Sequence, residues 1–449
     1  MVDICFYCNC LTCICKLLQP DWTSGNKYID KFIKEAQLKV NVNLDEIIIE
    51  WIPFNGLRNI KYLAHGGFST IYKAIWLDGY IISSDKRHRD PLNYEDHKIA
   101  KEKDVKSPLN KNEKKGVHVA LKSLKNSSNI SDDFINELKN HLQCMNSNVS
   151  SAVRIFGITQ DPETSNYMIV MELINGGNLR SNLLIKKYNP FEKYYNLACI
   201  AYVLLKLHRC NIIHGDFHSG NILIHYSYSP CYISDFGLSR PVNQTINSNE
   251  IYGVIPYMAP EVLRGKSYTK AADIYSFGII MWEFTSGIPA FSNRPHDFNL
   301  SLDICKGLRP EIVKSTLPVY ASLMKRCWDS NPNKRPTAEE LHQITAFWCD
   351  YFPKCYENKR NKIPSNEQIT KNHPLSCYTS RKIDYSAKIN EILSQEELSN
   401  KIVIDEEKEI INDITSLSKN LENFRIPDLK KILKEENFRI PDLKKILKE

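Results

Sequence analysis

No run of about 18 uncharged apolar residues, the length a helix needs to cross a bilayer, occurs anywhere in the chain. Missing too is a secretory pattern, with its clean apolar core and small-residue cleavage site. A membrane span and export are therefore not expected, and a cytoplasmic or nuclear location is. Without an export signal the 14 cysteines do not read as a disulfide framework. Charge of one sign is in little excess: the net charge is +7, and the Lys and Arg gather in one insert and in the tail. That describes solvated surface, so no nucleic-acid partner is expected. What remains, 42% hydrophobic and 25% charged over 449 residues, is globular material for one large or two medium domains.

The chemistry concentrates between Ile212 and Gly237, IIHGDFHSGNILIHYSYSPCYISDFG. Phosphoryl transfer needs one carboxylate to take a hydroxyl proton and hard oxygen ligands for Mg²⁺. Asp216 suits the first role, Asn221 and Asp235 the second. Apolar runs at Ile222–Ile224 and Tyr232–Ile233 flank a turn over Ser227–Pro230, which predicts a short hairpin holding Asn221 and Asp235 close together. An Asp followed five residues later by an Asn is common and means little alone. The Asp235-Phe236-Gly237 triplet one hairpin later gives it weight.

Other stretches carry matching parts. Leu63-Ala64-His65-Gly66-Gly67-Phe68-Ser69-Thr70-Ile71 reads as strand, glycine-bearing turn, strand, where small residues let backbone N–H groups approach phosphate oxygens; a plain hairpin would look the same. Val117–Lys122 alternates like a strand with its lysine turned to a cleft. The following helix, expected over Ser131–Leu142, carries Glu137, with Asp132 and Asp133 as competitors for the same lysine. Tyr167–Leu173 is an apolar strand ending in a Gly176-Gly177 break, and Tyr194–His208 is apolar on one helical face.

In this order the motifs resemble a eukaryotic protein kinase domain over about Leu57–Trp348. YMAPE, SFGIIMWEFTSG, MKRCW and NKRPT are most similar to the tyrosine-kinase-like group, of the kind expanded in some fungi. The resemblance implies an α+β, two-lobed kinase fold, with a small β-rich lobe and a large, mostly helical one. It implies ATP and Mg²⁺, a protein as substrate, and serine/threonine rather than tyrosine hydroxyls. Asp216 becomes the catalytic base, Lys122 the phosphate-holding lysine and Glu137 its ion-pair partner; Asn221 and Asp235 become metal ligands. Met171 would guard the back of the adenine pocket. The main chain of Glu172 and Ile174 would bond adenine, Asn178 would lie near the ribose, and Ala120 and Leu223 complete the nucleotide set. Glu261 would pair with Arg335, and Asp273 would receive the catalytic-loop backbone. A polar activation segment would run through Ser239, Thr245, Ser248 and Tyr252.

The sequence departs from that family in several places. Ala64 and Ser69 stand where glycines are usual. Gly215 replaces the arginine that normally receives an activation-loop phosphate, which implies activity independent of such a phosphate. His218 replaces a lysine and Val254 a threonine, weakening the assignment of hydroxyl type. The alternative is a pseudokinase or scaffold that binds nucleotide without turnover.

The flanks are less specific. Cys5, Cys8, Cys10 and Cys13 within leader residues 1–20 have zinc-like pair spacing but only one residue between the pairs, so a zinc site stands against a frayed leader, with S-acylation a weaker alternative. Residues 21–56 read as a helix on Ile29, Phe32, Ile33 and Ala36 followed by an apolar clasp. The charged insert 80–116 reads as a disordered loop or a basic docking surface. Residues 349–400 read as a polar linker, and 401–449 as a helical tail. That tail ends in a tandem duplication of ENFRIPDLKKILKE, open between partner binding or self-association and an accidental copy.

Overall fold

Val119 and Leu121 alternate with Ala120 and Lys122, and the strand they form divides the small lobe into two apolar layers. Val119 and Leu121 pack with Trp76, Phe156 and Val170, while Ala120 packs on the other face with Phe134, Leu138 and Ile169. Lys122 shares the face of Ala120 by the two-residue period of a strand. That places it under the helix carrying Phe134, Glu137 and Leu138.

A computed structural model of the protein describes residues 22–40, 47–67, 69–82, 116–124, 127, 132–146, 152–187, 190–225, 231–236, 238–241, 251–355 and 372–399. The small lobe comprises α1 (Lys27–Leu38), β1 (Ile47–Ile48), β2 (Glu50–Trp51), β3 (Leu57–His65), β4 (Ser69–Trp76), β5 (Ile81–Ile82), β6 (Val117–Leu124), α2 (Asp132–Asn146), β7 (Ile155–Gln160) and β8 (Tyr167–Glu172). The helical lobe follows with α3 (Leu179–Lys187), α4 (Pro190–Arg209), β9 (Ile212–Ile213), β10 (Ile222–Ile224), β11 (Cys231–Ile233), β12 (Arg240–Pro241) and β13 (Ile251–Gly253). It continues through α5 (Pro260–Leu263), α6 (Lys270–Ser286), α7 (Phe298–Cys305), α8 (Pro318–Cys327), α9 (Ala338–Cys355), β14 (Arg381–Ile383) and α10 (Ser386–Ser399).

The main sheet runs β2-β7-β8-β6-β4-β3, antiparallel except where β2 lies parallel to β7. Of the apolar clasp, Glu50–Trp51 thus becomes the sheet's edge strand, while Ile47–Ile48 pairs with β5. Helix α1 starts where the Asn26 side chain caps the Tyr28 amide at 2.9 Å, and it buries Ile29, Phe32 and Ile33. In the large lobe α6 is buried on nearly every side, as its continuously apolar sequence demands. Gly278 lets α8 approach, since a Cβ there would lie 2.8 Å from the Cys327 Cβ.

Two boundaries read from sequence need correction. The linker assigned to 349–400 is not structureless: α9 extends to Cys355, and residues 372–390 pack on the helical lobe through β14 and α10. Polar composition concealed this, because the segment anchors with single apolar side chains, Ile383 and Ile389, between hydrogen-bonding residues. The insert also begins later than Tyr80, since Ile81–Ile82 pairs with β1. The rest of the insert (83–115), the leader cysteines, Ser131, Thr245, Ser248 and the tandem repeat lie outside the described residues. The chain divides into a compact unit ending at Asn390 and a second beginning at Glu391, of which only the helical residues Glu391–Ser399 are described.

Candidate active site

Strand β6 delivers Lys122, which is 4% exposed, to the inner end of the cleft. Its ammonium is ion-paired with Glu137 of α2 and lies 2.8 Å from Asp235 Oδ1. Burial alone would lower the lysine pKa, but the charges of Asp235 and Glu137 outweigh it and hold the ammonium firmly protonated. Burial pushes the Glu137 carboxyl up. Of the acidic competitors on that helix, Glu137 is the residue that meets the lysine.

Hairpin β10–β11 pairs Ile222 with Ile233, which brings Asn221 beside Ser234 and Asp235. The Ser234 amide donates to the Asn221 carbonyl at 2.9 Å and locks the join. Asn221 turns its amide nitrogen to the Asp216 carbonyl at 3.0 Å and to Asp216 Oδ2 at 3.4 Å, so its oxygen is the end left for a hard cation. Asp235 has a left-handed φ of 64°, an uncommon conformation for a residue with a Cβ, in the turn that aims its carboxylate at Lys122. Phe236, fully buried, packs between the rings of His141 (4.5 Å) and His214 (5.5 Å), tying α2 to the catalytic loop.

That loop is held from below. Asp273 accepts from the amides of His214 (Oδ2, 2.9 Å) and Gly215 (Oδ1, 3.0 Å), and His208 Nε2 lies 2.9 Å from the same Oδ2. Burial acts to raise the Asp273 carboxyl, but those hydrogen bonds and the nearby imidazoles hold it below its ordinary range. Gly215 adopts φ +76°, and a Cβ there would stand 2.9 Å from the Leu238 carbonyl oxygen. The absent arginine therefore belongs to a backbone shape that favours glycine.

Sequence reasoning missed one residue at this site. Arg180, on α3, donates from Nη2 to His218 Nδ1 at 3.2 Å, and the Gly220 amide donates to the same nitrogen at 3.0 Å. With Nδ1 accepting twice, the imidazole proton belongs on Nε2, which faces Asp216 Oδ2 at 3.6 Å. A neutral imidazole backed by a guanidinium thus sits where the family has a lysine. No local motif marks Arg180; only the packing of α3 brings it in.

The apolar part of the predicted nucleotide set converges: Ala120, Met171 and Ile174 belong to one buried cluster, with Ile71 and Leu223 packed against it. The Glu172 amide is already bonded to the Arg154 carbonyl at 2.8 Å, and the Glu172 side chain is bidentate to Arg154. Asn178 caps α3, its Oδ1 accepting from the Ser181 amide at 2.9 Å, a structural task the sequence did not disclose. In the glycine-bearing turn the Gly66 amide donates to the Ser69 carbonyl at 2.8 Å and closes the bend; Leu63, Ala64 and His65 lead into it exposed, Thr70 follows, and Phe68 lies outside the described residues. At the far end of the helical lobe Arg335 grips Glu261 through two bonds, 2.7 and 2.8 Å, both side chains nearly buried.

A buried Lys-Glu pair facing a half-exposed aspartate, an Asp-Asn pair on the loop before a hairpin and a helix aspartate that cradles that loop form one constellation. The family model described as protein tyrosine and serine/threonine kinase matches residues 99–344, more than half of the chain. The chain belongs to that kinase family. The match begins after the glycine-bearing turn, although β3 and β4 join the same sheet. A probable serine/threonine-protein kinase of Dictyostelium discoideum is 32% identical over 267 residues, 56% of this chain and 19% of the relative. The serine/threonine/tyrosine-protein kinase HT1 of Arabidopsis thaliana is 34% identical over 232 residues, 49% of this chain and 57% of its own length. The dual specificity protein kinase splA of D. discoideum is 32% identical over 211 residues, 42% of this chain and 9% of the relative. The kinase chain thus spans less than two thirds of each of these relatives.

Proposed function

We propose that the protein transfers the γ-phosphoryl group of ATP to serine or threonine hydroxyls of proteins. The observation that carries this reading is the junction of Lys122, Glu137 and Asp235 with Asn221 and Asp216, which strand β6, helix α2, the turn after β11 and the catalytic loop bring together. Lys122 holds phosphate oxygens, and Glu137 fixes the lysine's position. Asp216 orients the acceptor hydroxyl and takes its proton, its own carboxylate steadied by Asn221 and by His218 with Arg180 behind it. The oxygens of Asn221 and Asp235 suit Mg²⁺, a hard cation that when bound neutralises charge on the transferring phosphoryl group. Ala120, Met171, Ile174 and Leu223 offer the adenine an apolar slot. Strand β13, just before the Ala259-Pro260-Glu261 platform, pairs with an extended segment, which supports a protein acceptor.

Asp216→Asn is expected to lower the rate of phosphate incorporation into a generic protein substrate by about 10²–10⁴-fold with an unchanged melting temperature. Radiolabelled ATP reads the rate and calorimetry the fold. Undiminished incorporation would place the base elsewhere. Binding of Mg-ATP by the wild type without any turnover would instead favour a nucleotide-binding scaffold.

A further inference from the structure

The segment misread as linker crosses the mouth of the catalytic cleft. Strand β14 pairs antiparallel with β13, the strand just before the Ala-Pro-Glu platform, in the register Ile251 to Ile383, Tyr252 to Lys382 and Gly253 to Arg381. This is how an extended peptide adds to a free strand edge. One residue earlier in the chain, Ser380 lies against the glycine-bearing turn: a Cβ on Gly67 would stand 2.0 Å from the Ser380 carbonyl oxygen. Two residues before that, the Tyr378 carbonyl accepts from Arg180 Nη1 at 2.9 Å, and the guanidinium stacks on the Tyr378 ring at 4.9 Å. Arg180 is the same residue that backs His218 beside Asp216.

Four hydroxyls lie in this stretch, and three are engaged. Ser376 donates to the His373 carbonyl at 2.8 Å, Tyr378 to the Ala290 carbonyl at 2.9 Å, and Thr379 is exposed with its oxygen 3.3 Å from the Cys377 sulfur. Ser380, 8% exposed, has a buried hydroxyl with no hydrogen-bond partner. A buried, unsatisfied hydroxyl costs free energy in the state that leaves it so, and its presence calls for a use elsewhere in the protein's cycle.

We propose that residues 377–383 occupy the acceptor groove as an intramolecular peptide and that Ser380 is the hydroxyl phosphorylated in cis. This inference rests on the phosphoryl-transfer reading above. In the step, Ser380 Oγ forms a bond to the γ-phosphorus of ATP while the bond from that phosphorus to the bridging oxygen breaks. ADP leaves, and the hydroxyl proton passes to the Asp216 carboxylate. Until the strand departs, any protein substrate must compete with it for the edge of β13.

The test incubates the full chain with Mg-ATP across a hundredfold range of dilution and maps phosphosites by mass spectrometry, with a generic acceptor protein assayed in parallel. The expected result is labelling of Ser380 at a rate independent of protein concentration, abolished in Lys122→Met. Ile383→Asp, which removes the apolar anchor of β14, is expected to slow Ser380 labelling at least about tenfold by loss of effective molarity, while phosphorylation of the external protein persists or rises. Turnover on the external protein with Ser380 unlabelled overturns this inference alone, as does a Ser380 rate that climbs with concentration or survives Ile383→Asp. No transfer to any acceptor overturns the kinase reading as well.

Discussion

At the scale of single residues, the site is built from groups whose protonation is fixed by what surrounds them. His141 is the clearest case: its Nε2 lies 2.6 Å from the Val153 carbonyl, its ring is 2% exposed, and burial pushes its pKa from 6.5 down to about 4. Burial lowers His214 as well. Because the unfolded imidazole takes up a proton that the folded one refuses, stability is complete above pH 6.5 and falls as the pH drops towards 4. The loss from His141 is about 1.4 kcal/mol per unit within that window. Urea midpoints at pH 7.5, 6.5 and 5.5 check the sign, and His141→Gln should show a flatter decline; a midpoint that rises on acidification contradicts it.

Sequence reading also reached furthest at this scale. Lys122, Glu137, Asp216, Asn221 and Asp235 meet as their types and order suggested, because each sits next to a local motif that fixes its backbone. Arg180 was not legible, because its partner His218 lies on the catalytic loop and nothing in the neighbouring sequence announces a contact made by helix packing. The cap that Asn178 makes is local, to the Ser181 amide three residues on, and it went unread beside the ribose role that the resemblance implied.

Among elements, the bonds that cross between segments decide both stability and access. Arg335 joins the loop before α9 to α5 through its bidentate pair with Glu261, and it also donates to the Ala271 carbonyl at 2.9 Å. Arg335→Ala leaves the Glu261 carboxylate buried without its partner and is expected to cost about 3–5 kcal/mol of stability, read from denaturant midpoints. A loss under about 1 kcal/mol would mean that water reaches Glu261.

The glycine-bearing turn offers a second test at this level. Gly67→Ala would place a methyl carbon on the Ser380 carbonyl, a backbone contact that cannot be relieved by rotating a side chain. The expected result is displacement of residues 378–381 and faster hydrogen exchange at the amides of β13 and β14, with those of β6 and β8 unchanged. Unaltered exchange at Ile251–Gly253 would show that the strand does not depend on this contact.

At the largest scale, the unit ending at Asn390 is a sheet lobe and a helical lobe joined at β8 and α3, with its own later segment laid back along the helical lobe. Alternating strand patterns, the amphipathic spacing of Ile29, Phe32 and Ile33, and the ordered run of motifs determined the elements and the chemistry without reference to contacts. These are local signals, since a strand's two faces and a loop's donors are set within a few residues. The course of residues 372–390 was decided by tertiary structure alone. Its strand pairs with residues about 130 positions earlier and buries only isolated apolar side chains, so its composition resembles that of a solvated linker. A polar sequence becomes ordered there because a vacant strand edge, a guanidinium and a glycine without a side chain lie where it passes.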